Sequence, residues 1–236
     1  LLLTPDLLSN KNLINEGVPD EKIRFVGNIM IDTLEDNRNK ALEKELNDII
    51  RNNLIEGQAM PIAHNLESND YALMTMHRPS NVDAKSILTP MFRFLTDEVT
   101  ADLQLVWPIH PRTQKMLAKF GLWEEALANY KLILLHPIGY HDMLRLNMDA
   151  RIMLTDSGGL QEECCVLGTP CLTLRWNTER PITLRENGGA SVLVGNNVER
   201  IRDEYAATLK NQRQPLRPEL WDGKTAQRCV KAILNY

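Results

Sequence analysis

The chain has 236 residues, 43% of them hydrophobic and 25% charged, and a formal net charge of −4. That composition excludes a disordered or fibrous protein, and the acidic balance excludes nucleic acid held by bulk positive charge. No apolar run reaches the roughly 18–20 residues needed to span a bilayer, so a membrane is not an expected partner either.

Residues 7–16 read as a short helix stopped by Gly17. Ile23–Val26 reads as a strand ending at Gly27-Asn28, and 30–52 as a long polar helix or helix pair. Residues 53–70, with Gly57, Pro61, Asn65, Ser68 and Asn69, read as an irregular polar segment. Strands then alternate with helices: strands at 71–76, 103–107, 132–135, 151–155, 171–174 and 191–194, helices at 84–100, 111–128, 140–148, 159–167 and 181–187. Two further helices, 197–211 and 222–235, close the chain. Short apolar strands separated by helices predict a doubly wound parallel sheet of Rossmann type, with ligands at the carboxyl ends of its strands.

Four cysteines, Cys164, Cys165, Cys171 and Cys229, form no CxxC pair and no His/Cys cluster. No metal is expected, and the thiols read as reduced, buried side chains of a cytoplasmic protein. The opening Leu1-Leu2-Leu3-Thr4-Pro5 has neither an initiator Met nor a signal-peptide profile and reads as starting inside something larger.

The polar chemistry sits at the strand ends. Thr155-Asp156-Ser157-Gly158-Gly159 runs from a strand into a helix. It is either an ordinary tight turn with Ser157 as N-cap or an anion site, where two glycines admit a ligand to the backbone and the helix N-terminus offers N–H groups. Glu163 follows one turn later, within reach of the hydroxyls of such a ligand. His77-Arg78 follows the strand at 71–76; it either caps that strand or contacts a phosphate, with His77 also suited to moving a proton. Arg175 to Pro181 places two arginines around Glu179, as a salt-bridged loop or as a cationic wall. Pro108-Ile109-His110-Pro111 reads mainly as a rigid turn. Together the four segments describe a pocket for a phosphorylated ligand, without a convincing pair of catalytic carboxylates.

Thr155–Glu163 resembles the TDSGGxQEE motif of the non-hydrolysing UDP-N-acetylglucosamine 2-epimerases, with every fixed position present. Gly168-Thr169-Pro170, Thr178-Glu179-Arg180-Pro181, Gly195, Glu16-Gly17-Val18, Val26-Gly27-Asn28, Ile31-Asp32 and Trp221-Asp222-Gly223-Lys224 resemble further motifs of that family. The resemblance implies the C-terminal half of a GT-B-type two-domain architecture. On that reading residues 1–22 are the tail of an N-terminal domain, 23–218 the UDP-binding domain and 219–236 a helix crossing back. It also implies that Ser157, Gly158 and Gly159 bind the diphosphate, Glu163 the ribose, His77 and Arg180 the diphosphate region, and that uracil sits near Ile138–Met143. Arg78 belongs to the same UDP-sugar site, His77 is the catalytic candidate here, and no cofactor is implied. The sequence departs from the family at Ser80, where a Glu is common, and at Met143, where an aromatic residue flanks the base. His110 falls where bacterial members carry an HxNP motif for a second, regulatory substrate molecule. The implied reaction is interconversion of UDP-N-acetylglucosamine and UDP-N-acetylmannosamine by elimination and re-addition of UDP. The full-length protein is expected to be a homodimer, and this chain alone inactive. Epimerisation of a modified UDP-acetamido sugar, a GT-B glycosyltransferase and a non-catalytic nucleotide-binding module are the rival readings.

Overall fold

Near-continuous apolar runs become strands that are buried on both faces, and here they form one parallel sheet. In the computed structural model, which describes residues 1–59, 66–210 and 213–236, the six runs are β3 (Tyr71–Thr75), β4 (Gln104–Pro108), β5 (Leu132–Leu135), β6 (Ile152–Thr155), β7 (Cys171–Thr173) and β8 (Ser191–Leu193). Their order across the sheet is β5-β4-β3-β6-β7-β8. Pro61, Asn65 and the last residue of the helix expected over 197–211 lie outside the described residues.

Alternate side chains of each strand feed two cores. Ala72, Met74, Leu105, Trp107, Leu134, Ile152 and Leu154 pack on one face against α5 (Lys85–Arg93), α7 (Pro111–Lys119), α8 (Trp123–Ala128) and α11 (Val198–Thr208). Tyr71, Leu73, Val106, Ile133 and Met153 pack on the other against α3 (Leu46–Asn53), α9 (Tyr140–Asp149) and α10 (Gly158–Leu167). The doubly wound expectation is met. Short helices α4 (Pro79–Val82) and α6 (Thr100–Asp102) flank α5, joined to α6 by a wide turn over Phe94–Val99.

Two local expectations change and one element is added. The helix expected over 111–128 breaks into α7 and α8 at Gly121, whose φ is +76°. Residues 181–187 form two 3₁₀ turns, Pro181–Thr183 and Arg185–Asn187, because Leu184 between them is extended and bridges to Ser191. The opening leucines form β1 (Leu2–Thr4), which pairs in parallel with β2 (Ile23–Phe25) as a separate two-stranded sheet after α1 (Leu7–Asn15).

A third core joins the ends of the chain to the sheet domain. Ile31 and Leu34 of α2 (Ile29–Leu42) meet Leu144, Val166 and Trp221. Asp32 accepts from the backbone N–H groups of Thr225 (3.0 Å) and Ala226 (2.7 Å), which caps α12 (Thr225–Leu234) from another helix. Gly27 is required where these pieces touch: its φ is +92°, and a Cβ there would lie 2.1 Å from the Leu220 carbonyl oxygen.

Candidate functional site

Between β3 and β6 the chain changes direction: β4 and β5 build outward on one side, β7 and β8 on the other. A doubly wound sheet opens a crevice at that point, beyond the carboxyl ends of its strands. Thr75 and Thr155 are paired in register there, with their hydroxyl oxygens 2.6 Å apart.

Asp156, fully buried, organises the crevice floor. Its carboxylate accepts from the backbone N–H groups of His77 (2.9 Å) and Arg78 (2.8 Å) and from Asn81 Nδ2 (3.1 Å). The His77 Nδ1 atom lies 3.0 Å from its Oδ1. Arg78 Nε donates to the Asp156 carbonyl at 2.8 Å. Burial alone would raise the Asp156 carboxyl, but the His77 side chain and the Arg78 and His77 backbone donors outweigh it and hold the group below its usual range. The same contact raises the His77 imidazole above its ordinary value, against its own partial burial. The sequence singled out His77 and Arg78 as the neighbours of a ligand; the structure adds the buried acid that fixes both.

The sign of that shift gives a test. A raised folded-state pKa means that the His77 contribution to stability is present below the unfolded value of about 6.5 and is lost as pH rises through the folded value. An NMR titration of the imidazole is expected to give a midpoint above 6.5, and a midpoint at or below that value removes the Asp156 contact from the account.

The turn into α10 forms one wall. Ser157 takes the N-cap position, and its hydroxyl makes no capping bond. Gly158 leaves room for a guanidinium: a Cβ there would lie 2.7 Å from Arg180 Nη1 and 2.9 Å from Glu179 Oε1. At Gly159 the nearest atom to such a Cβ is Met30 Cε, at 4.0 Å, so the approach to the backbone is open. The loop after β7 is tied to the helix by Gln161, which accepts from the Thr178 hydroxyl at 2.8 Å, while that hydroxyl accepts from the Arg180 N–H at 3.0 Å. Glu179 pairs with Arg175 and with Arg180, and the Arg175 hydrogen bond leads in pulling its carboxyl down to about 2.

Among the described residues Glu163 forms no ion pair with these cations, and its neighbours are Asn147, Tyr140 and Glu162. Burial pushes its carboxyl up to about 7, against the pull of Asn147 and Tyr140, and Oε2 is buried without a hydrogen-bond partner. Ile138, Met143 and Leu160 pack against the same core face, so the segment expected at the base borders the helix carrying Glu163. His110 caps α7 by accepting from the Arg112 N–H at 3.1 Å, which meets its reading as a turn residue. Its ring also stacks on His77, with centroids 5.3 Å apart. Two participants went unremarked as individuals in the sequence: Asn28 and Glu162, joined by a 2.8 Å hydrogen bond across 134 residues. Among the described residues no cluster of side chains could hold a metal ion, and no helix is long and apolar enough to cross a membrane.

The chain is a doubly wound α/β domain whose switch-point crevice brings together a glycine turn and arginines. The family model described as UDP-N-acetylglucosamine 2-epimerase matches residues 1–234, and the chain belongs to that family. It is 36% identical over 236 residues to the UDP-N-acetylglucosamine 2-epimerase of Methanocaldococcus jannaschii, covering 100% of this chain and 60% of the relative. The enzyme of the same name from Methanococcus maripaludis is 34% identical over 235 residues, covering 99% of this chain and 60% of that protein. The crystal structure of the M. jannaschii enzyme in complex with UDP-GlcNAc and UDP superposes with a TM-score of 0.83 at 34% identity, over 100% of this chain and 61% of that one. The chain thus spans about 60% of the length of these relatives.

Proposed function

We propose that this chain is the UDP-binding part of a UDP-N-acetylglucosamine 2-epimerase that works by elimination and re-addition of UDP. The observation that carries the reading is the α10 turn, uncapped by Ser157 and flanked by Arg180, with a buried, unpartnered Glu163 oxygen one turn further in. In this reading Ser157, Gly158 and Gly159 take the diphosphate, with Arg180, Arg78 and His77 around it. Glu163 accepts from the ribose hydroxyls, and Ile138 and Met143 border the uracil. His110, stacked on His77, is the regulatory candidate. The 1–22 and 219–236 segments belong to the junction with an N-terminal domain, and the whole enzyme works as a cytoplasmic homodimer.

The chemistry follows from the charges. Breaking the bond from the sugar C1 to the UDP oxygen leaves a diphosphate anion, and helix N–H groups with guanidinium and imidazolium groups are preorganised where that charge develops. UDP kept in place re-adds as a neighbour rather than from solution. Proton exchange at C2 needs a base and an acid on opposite faces. Asp156, Glu162 and Glu179 are paired and Glu163 is assigned to ribose, so this chain alone is expected to catalyse no exchange. Deuterium appearing at C2 of UDP-N-acetylglucosamine in deuterated water would reverse that expectation.

Binding is tested directly. UDP at about 100 times its Kd should stabilise the chain by roughly 2.7 kcal/mol, with no effect from N-acetylglucosamine. At a pH above the raised Glu163 value of about 7, where the carboxyl is ionised, Glu163→Gln should lower UDP affinity by about 1.5–3 kcal/mol, because the hydrogen bonds it removes are charge-assisted. A thermal shift with the sugar but none with UDP removes the nucleotide reading.

A further inference from the structure

The reading above leaves the buried carboxylate next to Glu163 without a task. We infer that Glu162 is the positioning residue for Arg180, holding its guanidinium over the α10 turn from an anchor fixed by Asn28. The inference rests on the UDP-binding reading.

Glu162 sits between two groups of different kinds. Its Oε1 accepts from Asn28 Nδ2 at 2.8 Å and lies 3.1 Å from Arg180 Nε. Asn28 is itself buried and oriented, since its amide oxygen caps α2 by accepting from the Met30 N–H at 2.9 Å. Glu162 therefore meets Arg180 from a fixed point. The contact is an ion pair with Nε, on the stem side of the guanidinium and without hydrogen-bond geometry, and Nη1 is left 2.7 Å from where a Gly158 Cβ would stand. A planar fork held at one edge presents its other edge. The neighbouring residue completes the device: Gln161 fixes the Arg180 backbone through Thr178 while Glu162 fixes its side chain.

A link between α2 and α10 would not by itself need a carboxylate. Asn28 offers one donor, which an amide oxygen would satisfy, yet Glu162 carries a second buried oxygen, Oε2, with no partner. Leaving such an oxygen unmade is costly, and a small rotation of the guanidinium would close a two-bond fork on it. Glu179, on the opposite edge of Arg180, is about half exposed, with 53% of its side-chain surface open. An exposed pair of that kind contributes little, so Glu179 is the counter-ion a diphosphate exchanges with. Glu162, at 6% exposure, stays. Its charge opposes an incoming anion, so its use is orientation, and that orientation rests on the carboxylate's charge toward Arg180.

The test is calorimetric titration of the chain with UDP and with uridine, which lacks the diphosphate. Glu162→Ala is expected to weaken UDP about tenfold while uridine changes less than twofold, and Glu162→Gln, which keeps the oxygen that meets Asn28 but loses the charge toward Arg180, to weaken UDP by about three- to tenfold. In an Arg180→Ala background Glu162→Ala should have no further effect. If Glu162→Ala fails to fold, Glu162→Met, similar in length and without an acceptor, carries the same expectation. Unchanged UDP affinity, an equal loss for uridine, or an effect that persists without Arg180 each overturns the assignment. Absence of UDP binding by the wild-type chain instead overturns the reading beneath it.

Discussion

Trp221→Ala is expected to destabilise the chain by about 3–5 kcal/mol, the range for removing a large buried aromatic. Trp221 is 1% exposed among Ile31, Leu34, Leu144 and Val166, so it holds α2, α9, α10 and the C-terminal segment on one contact surface. Its indole N–H also donates to the Pro5 carbonyl at 2.8 Å, tying the last segment to the first. Truncation leaves a cavity whose walls belong to four elements that cannot all move inward, which places the cost high in the range. Trp221→Phe keeps most of the volume and loses the hydrogen bond, worth about 1 kcal/mol. Urea unfolding of the two variants separates the contributions. Equal losses would mean that the hydrogen bond, not the packing, holds the termini.

The central sheet was legible because burial on both faces demands continuous apolar strands, and six such runs stand between helix-length segments. Carboxyl ends of strands are where polar residues then stand out, so His77, Ser157–Gly159 and Arg180 stand out at one end of the sheet before the strand order is known. β1 was not legible. Three residues carry no usable periodicity, and its partner lies about twenty positions later, beyond a helix. The 181–187 segment misled for a different reason: Pro181 is a good helix start, but the bridge from Leu184 to Ser191 holds that residue extended and stops the helix after one turn.

Within the site, legibility followed the sequence distance between partners. Gly158 and Gly159 announce a close approach by their own type. Glu162 does not announce Asn28, since nothing local distinguishes a carboxylate that reaches 134 residues back from one that faces water. Arg180 was read as a ligand contact, and its place over Gly158 depends on a side-chain direction that spacing does not encode.

Asp156 is the sharpest case, and its removal should be felt in both stability and binding. The residue reads as part of a Ser-Gly-Gly turn, yet its partners His77, Arg78 and Asn81 lie 75–79 positions upstream. Asp156→Ala strips the acceptor from two backbone N–H groups and one side-chain amide and leaves the His77 imidazole without its counter-ion. Breaking a buried charged contact from one side costs about 3–5 kcal/mol, because the donors left behind find no water. Asp156→Asn keeps the shape and one acceptor oxygen, so its loss should be smaller, and it removes the charge that raises His77. In that variant the imidazole midpoint is expected to fall back toward about 6.5, and UDP affinity to drop more at a pH between the wild-type and variant midpoints than at one well below both, where His77 is protonated with or without Asp156. Equal affinity losses at the two pH values would show that Asp156 supports the crevice by its hydrogen bonds to the backbone alone.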